Sequence, residues 1–200
     1  MRKLIVISQV TLDGVMQGPG GVEEDPRNGF TRGGLAAPFA SDEGRRVVNE
    51  TIAGDFDLLL GRWTYDLWTG YWPKHVDNPI GAAFAKATKY VVTHRTDGLD
   101  WSPSRPIDGV EGVRALKATD GPELHLWGSQ SVVQALLDAG LIDELRLWVS
   151  PVVLGQGKRL FEHGVAATAF KLVDASQTPT GVQINTFRPA GPFTPRDSTP

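Results

Sequence analysis

The sequence predicts an α/β domain of three layers, α/β/α, built on a mainly parallel central sheet with a C-terminal antiparallel hairpin. Three observations predict it. Short runs rich in Val, Ile and Leu recur along the chain (KLIVISQV, DFDLLLG, KYVVT, ELHLW), and they read as strands buried on both faces. Segments of helical periodicity fall between them, which is how parallel neighbours are connected. Near the C-terminus the order changes: FKLVDASQTPTGVQINTFRP is two strand-like runs around Thr178-Pro179-Thr180-Gly181, a hairpin signal.

Each element has its own local reason. Residues 3–10 open the series as a buried strand, and residues 16–40, rich in Gly and Pro, form a loop long enough to act as a lid. Ser41 is placed to cap a helix whose first turn carries Asp42 and Glu43. Val47, Val48, Thr51 and Ile52 share one face of that helix, and Gly54 can close it. DFDLLLG is a strand ending at Gly61. Asn78 and Pro79 start the helix NPIGAAFAKAT, and KYVVT follows as a strand. IDGVEGVRALKAT is a weaker helix interrupted by two glycines, and ELHLW returns to strand. In SVVQALLDAG, residues Val132, Val133, Leu136 and Leu137 form one stripe, ended by Gly140. Leu145, Leu147 and Val149 then alternate with Arg146, Trp148 and Ser150. The expected domain is residues 1–189, and the polar, Pro-rich residues 190–200 are expected to be a disordered tail.

Composition narrows the function classes. The chain has 200 residues, 40% hydrophobic, enough for one sizeable core. A net charge of -3 argues against a nucleic-acid partner or an anionic membrane surface. The absence of cysteine excludes disulfides, thiolate metal sites and Cys nucleophiles. The N-terminal apolar run breaks at Ser8-Gln9, short of a signal segment or a membrane span, so a cytoplasmic protein is expected. His75, His94, His125 and His163 lack metal-ligand spacing, and His125 within LHLW reads as structural; no metal is expected. Trp148 points opposite Leu147, and a face carrying it suggests a homodimer.

Ligands of parallel sheets bind beyond the carboxyl ends of the strands, and four such ends carry distinctive residues. Gly128 would let backbone approach an anion, with the N–H groups of Ser129, Gln130 and Ser131 pointing at it from a helix N-terminus. Taken alone, the same Gly-Ser pair merely eases a turn. Arg62 offers a planar fork for phosphate, or it is a surface arginine paired with Asp66. Thr93, His94 and Arg95 add a hydroxyl and up to two positive centres. Asp13, after the first strand, could orient a proton-donating water, or bond its own turn. Tyr65, Trp68, Trp72 and Phe39 could wall an aromatic substrate site, or belong to the core or an interface.

Together these stretches resemble a family. LLLGRWTY is similar to the Gly-Arg-x-Thr element of dihydrofolate reductases, YVVTHR to their next strand and cofactor loop, and LWGSQSVVQALL to their Gly-Gly turn and helix. LDG, GRWTY and IDELRLWVSPVVLGQGKRLF, in this order, resemble the branch formed by the RibD C-terminal reductase domain of riboflavin biosynthesis and its stand-alone relatives.

The resemblance implies a dihydrofolate reductase-like fold and NADPH as cofactor. Gly61, Arg62, Trp63 and Thr64 would line the pyrophosphate and 2′-phosphate side. Thr93, His94 and Arg95 would hold the 2′-phosphate, and Gly128, Ser129, Gln130, Ser131 and Val132 would cradle the pyrophosphate. Backbone near Val10 would take the nicotinamide carboxamide. Asp13 is the candidate catalytic residue, and Tyr65, Ser150, Gly155 and Gly157 are candidates to line the substrate. In the family the Gly-Gly bond at the turn is cis; here it falls between Gly128 and Ser129, where a cis bond is expected. Dihydrofolate reductases also grip the pterin with an acid on the first long helix, while Asp42 and Glu43 read better as acids complementing the helix dipole.

The implied function is NADPH-dependent hydride transfer to a small heteroaromatic or conjugated substrate, such as a pterin or pyrimidine. The alternative is a nucleotide-binding module without turnover, acting as a sensor or binding a partner.

Overall fold

The computed structural model of the chain describes residues 1–162 and 164–197; His163 and the last three tail residues lie outside them. Thirteen elements follow one another: β1 (Leu4–Thr11), α1 (Asp42–Thr51), β2 (Phe56–Gly61), α2 (Arg62–Thr69), α3 (Pro79–Lys86), β3 (Lys89–Val92), β4 (Ser104–Ile107), α4 (Gly109–Lys117), β5 (Glu123–Trp127), α5 (Gln130–Asp138), β6 (Glu144–Ser150), β7 (Thr168–Gln177) and β8 (Gln183–Pro192). They make one eight-stranded sheet of order β4-β3-β2-β5-β1-β6-β8-β7. Pairings from β4 across to β6 are parallel, and the hairpin β7–β8 adds antiparallel to β6.

Strand alternation sorts the core into two faces. Leu4 and Val6 of β1, Leu59 of β2 and Leu124 and Leu126 of β5 meet Val113 and Leu116 of α4 and the Val132–Leu137 stripe of α5. On the other face Leu58, Leu60 and Val91 pack with Tyr65 of α2 and Phe84 of α3. Ile5, Ile7, Trp148 and Ile184 continue that face toward Val47 and Val48 of α1. The helices start where expected: Ser41 Oγ accepts from Gly44 N–H at 3.0 Å, and Asn78 Oδ1 accepts from Ile80 N–H at 2.9 Å.

Two elements went unseen in the sequence. RWTYDLWT forms α2, although Gly61 caps it without a side chain. SRPI forms β4, a short edge strand, where Pro106 is tolerated because only one neighbour pairs with it.

Two expectations need correction. Trp148 is buried inside its own subunit, packed with Ile5, Ile7 and Ile184 and edge-on to Trp127, because α1 and the hairpin cover that face. It offers no surface to a second copy. Strand β8 runs to Pro192, and Phe193 N–H bonds Ala167 O at 2.9 Å, so the first residues of the supposed tail are held in the hairpin. Among the described residues, no helix is long and apolar enough to cross a membrane.

Candidate functional site

Strands β2 and β5 are neighbours, and each turns directly into a helix at its carboxyl end. The two turns are locked together by one hydroxyl. Ser129 Oγ accepts the Gly61 N–H at 2.8 Å and donates to Thr64 Oγ1 at 2.8 Å. A Cβ on Gly61 would sit 3.0 Å from both Cβ and Oγ of Ser129 and 3.1 Å from Val132 Cγ2, so this contact needs glycine. The first N–H groups of α2 and α5 have no partner within their helices and emerge side by side at the sheet edge.

The bond between Gly128 and Ser129 is trans, contrary to the expectation drawn from the family; among the described residues the cis bond is Ser102-Pro103. Here two successive left-handed residues, Gly128 at φ 67° and Ser129 at φ 61°, reverse the chain instead. Serine tolerates that conformation at a cost, which its two hydrogen bonds help to offset.

A cavity of about 850 Å³ opens beyond the strand ends. A second, of about 370 Å³, lies on the α4–α5 side, and Gly61, Arg62, Trp63 and Ser131 line both. Of the residues expected to hold cofactor, Thr64, Gly128, Ser129 and Gln130 line the first cavity and Val132 the second. Val10 is buried opposite Val149 and lines neither.

Thr93, His94 and Arg95 stand outside both cavities, on an exposed turn, but the turn reaches Arg62. Arg62 bonds Asp66 through Nε at 2.8 Å and the Asp97 carbonyl through Nη1 at 2.8 Å, while Arg95 pairs with the Asp97 carboxylate at 3.0 Å. A Cβ on Gly98 would meet Arg62 Nη2 at 2.9 Å. Thr93 Oγ1 accepts from Arg95 N–H at 3.0 Å, and His94 Nδ1 lies 3.0 Å from Asp108.

Asp13 is absent from the cavity walls. Its carboxylate accepts from Thr11 Oγ1 at 2.6 Å, Gly155 N–H at 2.8 Å and Leu154 N–H at 3.2 Å. The Thr11 hydroxyl and those backbone donors outweigh partial burial and hold it down to about 2. Asp13 therefore ties the loop after β6 to the end of β1. Ser150 is buried beside Thr11 in the β1–β6 register. Gly157 lets the same loop lie against Phe30, where a Cβ would come within 2.6 Å of the ring.

Tyr65 does not line the substrate space. It is fully buried, and its hydroxyl accepts from Trp101 N–H at 2.9 Å and from Ser104 Oγ at 3.1 Å. Its place in α2 turns it toward β3 and β4, away from the strand ends.

Sequence reasoning expected a lid over residues 16–40 and offered Trp68 and Trp72 as an aromatic wall, and both tryptophans line the larger cavity while Phe39 does not. It missed Gln17 and Arg27 in the roof and Phe84, Trp127 and Trp148 in the back wall. Gln17 fixes the roof: Nε2 donates to the Asp25 and Arg27 carbonyls, each at 3.0 Å, and Oε1 accepts from Lys158 N–H at 2.9 Å. Arg27 bonds Asp25 and stacks on Trp63 at 3.8 Å, joining lid to α2. Trp68, Trp72, Phe84, Trp127 and Trp148 form the back wall. Trp127 was findable, because it ends a strand beside the glycine turn.

The fold and its strand-end turns define a dihydrofolate reductase-like α/β domain. The chain belongs to the RibD C-terminal domain family, whose model matches residues 2–184. It is 30% identical to the Bacillus subtilis (strain 168) protein YyaP over 190 residues, 90% of this chain and 92% of that one. Among solved structures it resembles a diaminohydroxyphosphoribosylaminopyrimidine deaminase/5-amino-6-(5-phosphoribosylamino)uracil reductase from Thermotoga maritima. That match has a TM-score of 0.64 and 16% identity, and covers 94% of this chain and 57% of that one. A pyrimidine reductase-like protein from Corynebacterium diphtheriae matches with a TM-score of 0.60 and 12% identity, over 94% and 92%. Dihydrofolate reductase from Enterococcus faecalis, complexed with NADP(H) and RAB-propyl, matches with 0.58 and 17%, over 94% and 96%.

Proposed function

We propose that the protein is an NADPH-dependent reductase acting on a small heteroaromatic or conjugated substrate. One observation carries the reading. Two cavities meet at a ridge where the N-termini of α2 and α5 are clamped by Ser129, giving an elongated trough with anion-seeking N–H groups at its centre. That is the shape and charge pattern of a dinucleotide.

The residues present fit the cofactor. Gly61 and Gly128 keep side chains out of the ridge, and Gln130 and Ser131 present N–H groups toward a pyrophosphate. Arg62, with Arg95 brought near it through Asp97, would take the 2′-phosphate, and Thr93 would add a hydroxyl. The adenine half would enter the smaller cavity against Val92, Val110 and Val132, and the nicotinamide half the larger one. Bound there, NADPH would supply the hydride. The protein would supply alignment and, under the lid held by Gln17, exclusion of water. Asp13, bonded to the backbone of Leu154 and Gly155, would act as a positioning residue for the loop carrying Gly155 and Gly157.

The test is titration with NADPH, NADH and NADP⁺, read by quenching of the tryptophans, beside an Arg62→Ala/Arg95→Ala double variant. Tight NADPH binding, much weaker NADH binding, and loss of that preference in the variant are the expected results. No dinucleotide binding would discard the reading. Binding without oxidation by any pterin, pyrimidine or flavin-like acceptor would favour a non-catalytic module.

A further inference from the structure

The back of the larger cavity differs in chemistry from its mouth. Trp127 stands edge-on to Trp148 at 5.9 Å between centroids and to Phe84 at 5.8 Å, and Phe84 stacks on Trp68 at 5.0 Å. Trp72 closes the group at 5.2 Å from Phe84. From α1 the wall receives Val48 alone; Asp42, Glu43 and Glu50 pair with Arg45 and Arg46 on the solvent side. Charge reaches the cavity at Arg62, on the ridge, and at the mouth, where Arg27 and Lys158 face Glu23, Glu24 and Asp25. Over the whole cavity three cations, Arg27, Arg62 and Lys158, stand against three carboxylates, with Asp25 already bound to Arg27. A phosphate or carboxylate tail would meet no surplus of positive charge there.

Three lining residues carry an unpaired buried polar atom, Ser8 Oγ among them. Trp127 Nε1 and Gln9 Oε1 are enclosed and have no hydrogen-bond partner. Gln9 is in register with Trp148, and Trp127 with Ile7, so Gln9 and Trp127 sit diagonally on neighbouring strands, offset by two residues along β1, with backbones roughly 8 Å apart. Neighbouring side chains cover both atoms, so pairing them requires a rotamer change in the wall. An unpaired buried N–H is costly, and a ligand carbonyl would relieve it.

Resting on the reductase reading, we propose that this chamber takes an uncharged, planar fused ring bearing a carbonyl, without phosphate, carboxylate or amidinium groups. Stacking on the tryptophans supplies affinity, and Trp127 Nε1 with the Gln9 amide sets the ring's orientation.

The test is calorimetric titration of the protein, free and saturated with NADP⁺, with three probes. Lumichrome is an uncharged ring with carbonyls, flavin mononucleotide carries a related ring with a phosphate tail, and phenazine is uncharged without carbonyls. Lumichrome is expected to bind at least tenfold more tightly than flavin mononucleotide. Trp127→Phe, which keeps an aromatic ring in the wall, is expected to weaken lumichrome about fivefold more than phenazine; Gln9→Leu provides a second variant with the same expected pattern. NADP⁺ affinity reports that each variant is folded. Flavin mononucleotide binding as tightly as lumichrome, or equal loss of both rings in both variants, would overturn the proposal. NADP⁺ binding without lumichrome binding also overturns it and leaves the reductase reading standing. Lumichrome binding without any dinucleotide binding does the reverse.

Discussion

Gly61 gives its N–H to Ser129 Oγ at 2.8 Å across the gap between two strand ends, and the bond exists because Gly61 has no Cβ. Gly61→Ala forces the turns apart or pushes Ser129 out of its left-handed conformation. The expected result is a stability loss of about 1–3 kcal/mol and at least a tenfold loss of dinucleotide affinity. Ser129→Ala keeps the space but strands the Gly61 N–H, at a cost of about 1–2 kcal/mol. Urea denaturation and NADPH titration of both variants separate the steric from the hydrogen-bonding contribution. Equal affinity in Gly61→Ala would remove the ridge from the binding site.

Arg62 and Arg95 should not be equivalent. Arg62 is 17% exposed and held by Asp66 and the Asp97 carbonyl, whereas Arg95 is 63% exposed and holds one carboxylate. A preorganised guanidinium loses less freedom on binding. Arg62→Ala is expected to cost NADPH roughly 2 kcal/mol, about 30-fold, and Arg95→Ala under about 1 kcal/mol. NADH affinity should change less than NADPH affinity in both. The single-variant titrations decide it, and a larger effect at Arg95 would move the 2′-phosphate out to the exposed turn.

Most of the fold was legible because burial on both faces leaves continuous apolar runs, as in β1, β2 and β5. Helix α2 was not, because its first residues also read as a loop motif and its cap is a glycine. Strand β4 was not, because SRPI lacks apolar alternation and contains proline. At the site, the glycines and Arg62 could be read from their positions at strand ends. Tyr65 could not, since adjacency to Arg62 in sequence says nothing about which way a helical residue points. The role of Asp13 was left open for a related reason: its partners Leu154 and Gly155 lie about 140 residues away. The trans turn depends on Ser129 accepting a left-handed backbone, which no spacing announces.

Asp13 should show its structural role in acid. Its carboxyl lies near 3.8 when unfolded and about 2 when folded, so its contribution is complete above about 4 and disappears as pH falls through about 2. The full value is on the order of 2 kcal/mol. Asp13→Asn should therefore be less stable than the parent at pH 7, with the gap narrowing steadily between pH 4 and pH 2. Chemical denaturation at four pH values checks this. If Asp13 instead served as proton donor, turnover would show an apparent pKa near neutrality that Asp13→Asn abolishes.

His125 also loses stability in acid, but over a higher pH window and because burial favours its uncharged form. It stacks on Phe56 at 4.5 Å and 5° and is almost fully buried; burial pushes it down to about 4, although Glu123 lies 3.5 Å from Nε2 and pulls the other way. Arg146 and Lys3, the nearby cations, add to the depression. The unfolded chain binds its proton near 6.5 while the folded chain resists until about 4. Stability is therefore complete above 6.5 and is lost as pH falls from 6.5 to 4, by roughly 3 kcal/mol at most. Other carboxylates titrate lower in that range, so the informative quantity is a difference. His125→Phe preserves the stack on Phe56 and removes the titration. The melting temperature of the parent should fall more than that of His125→Phe between pH 7 and pH 5, and parallel curves would show that the imidazole already carries a proton in the folded core.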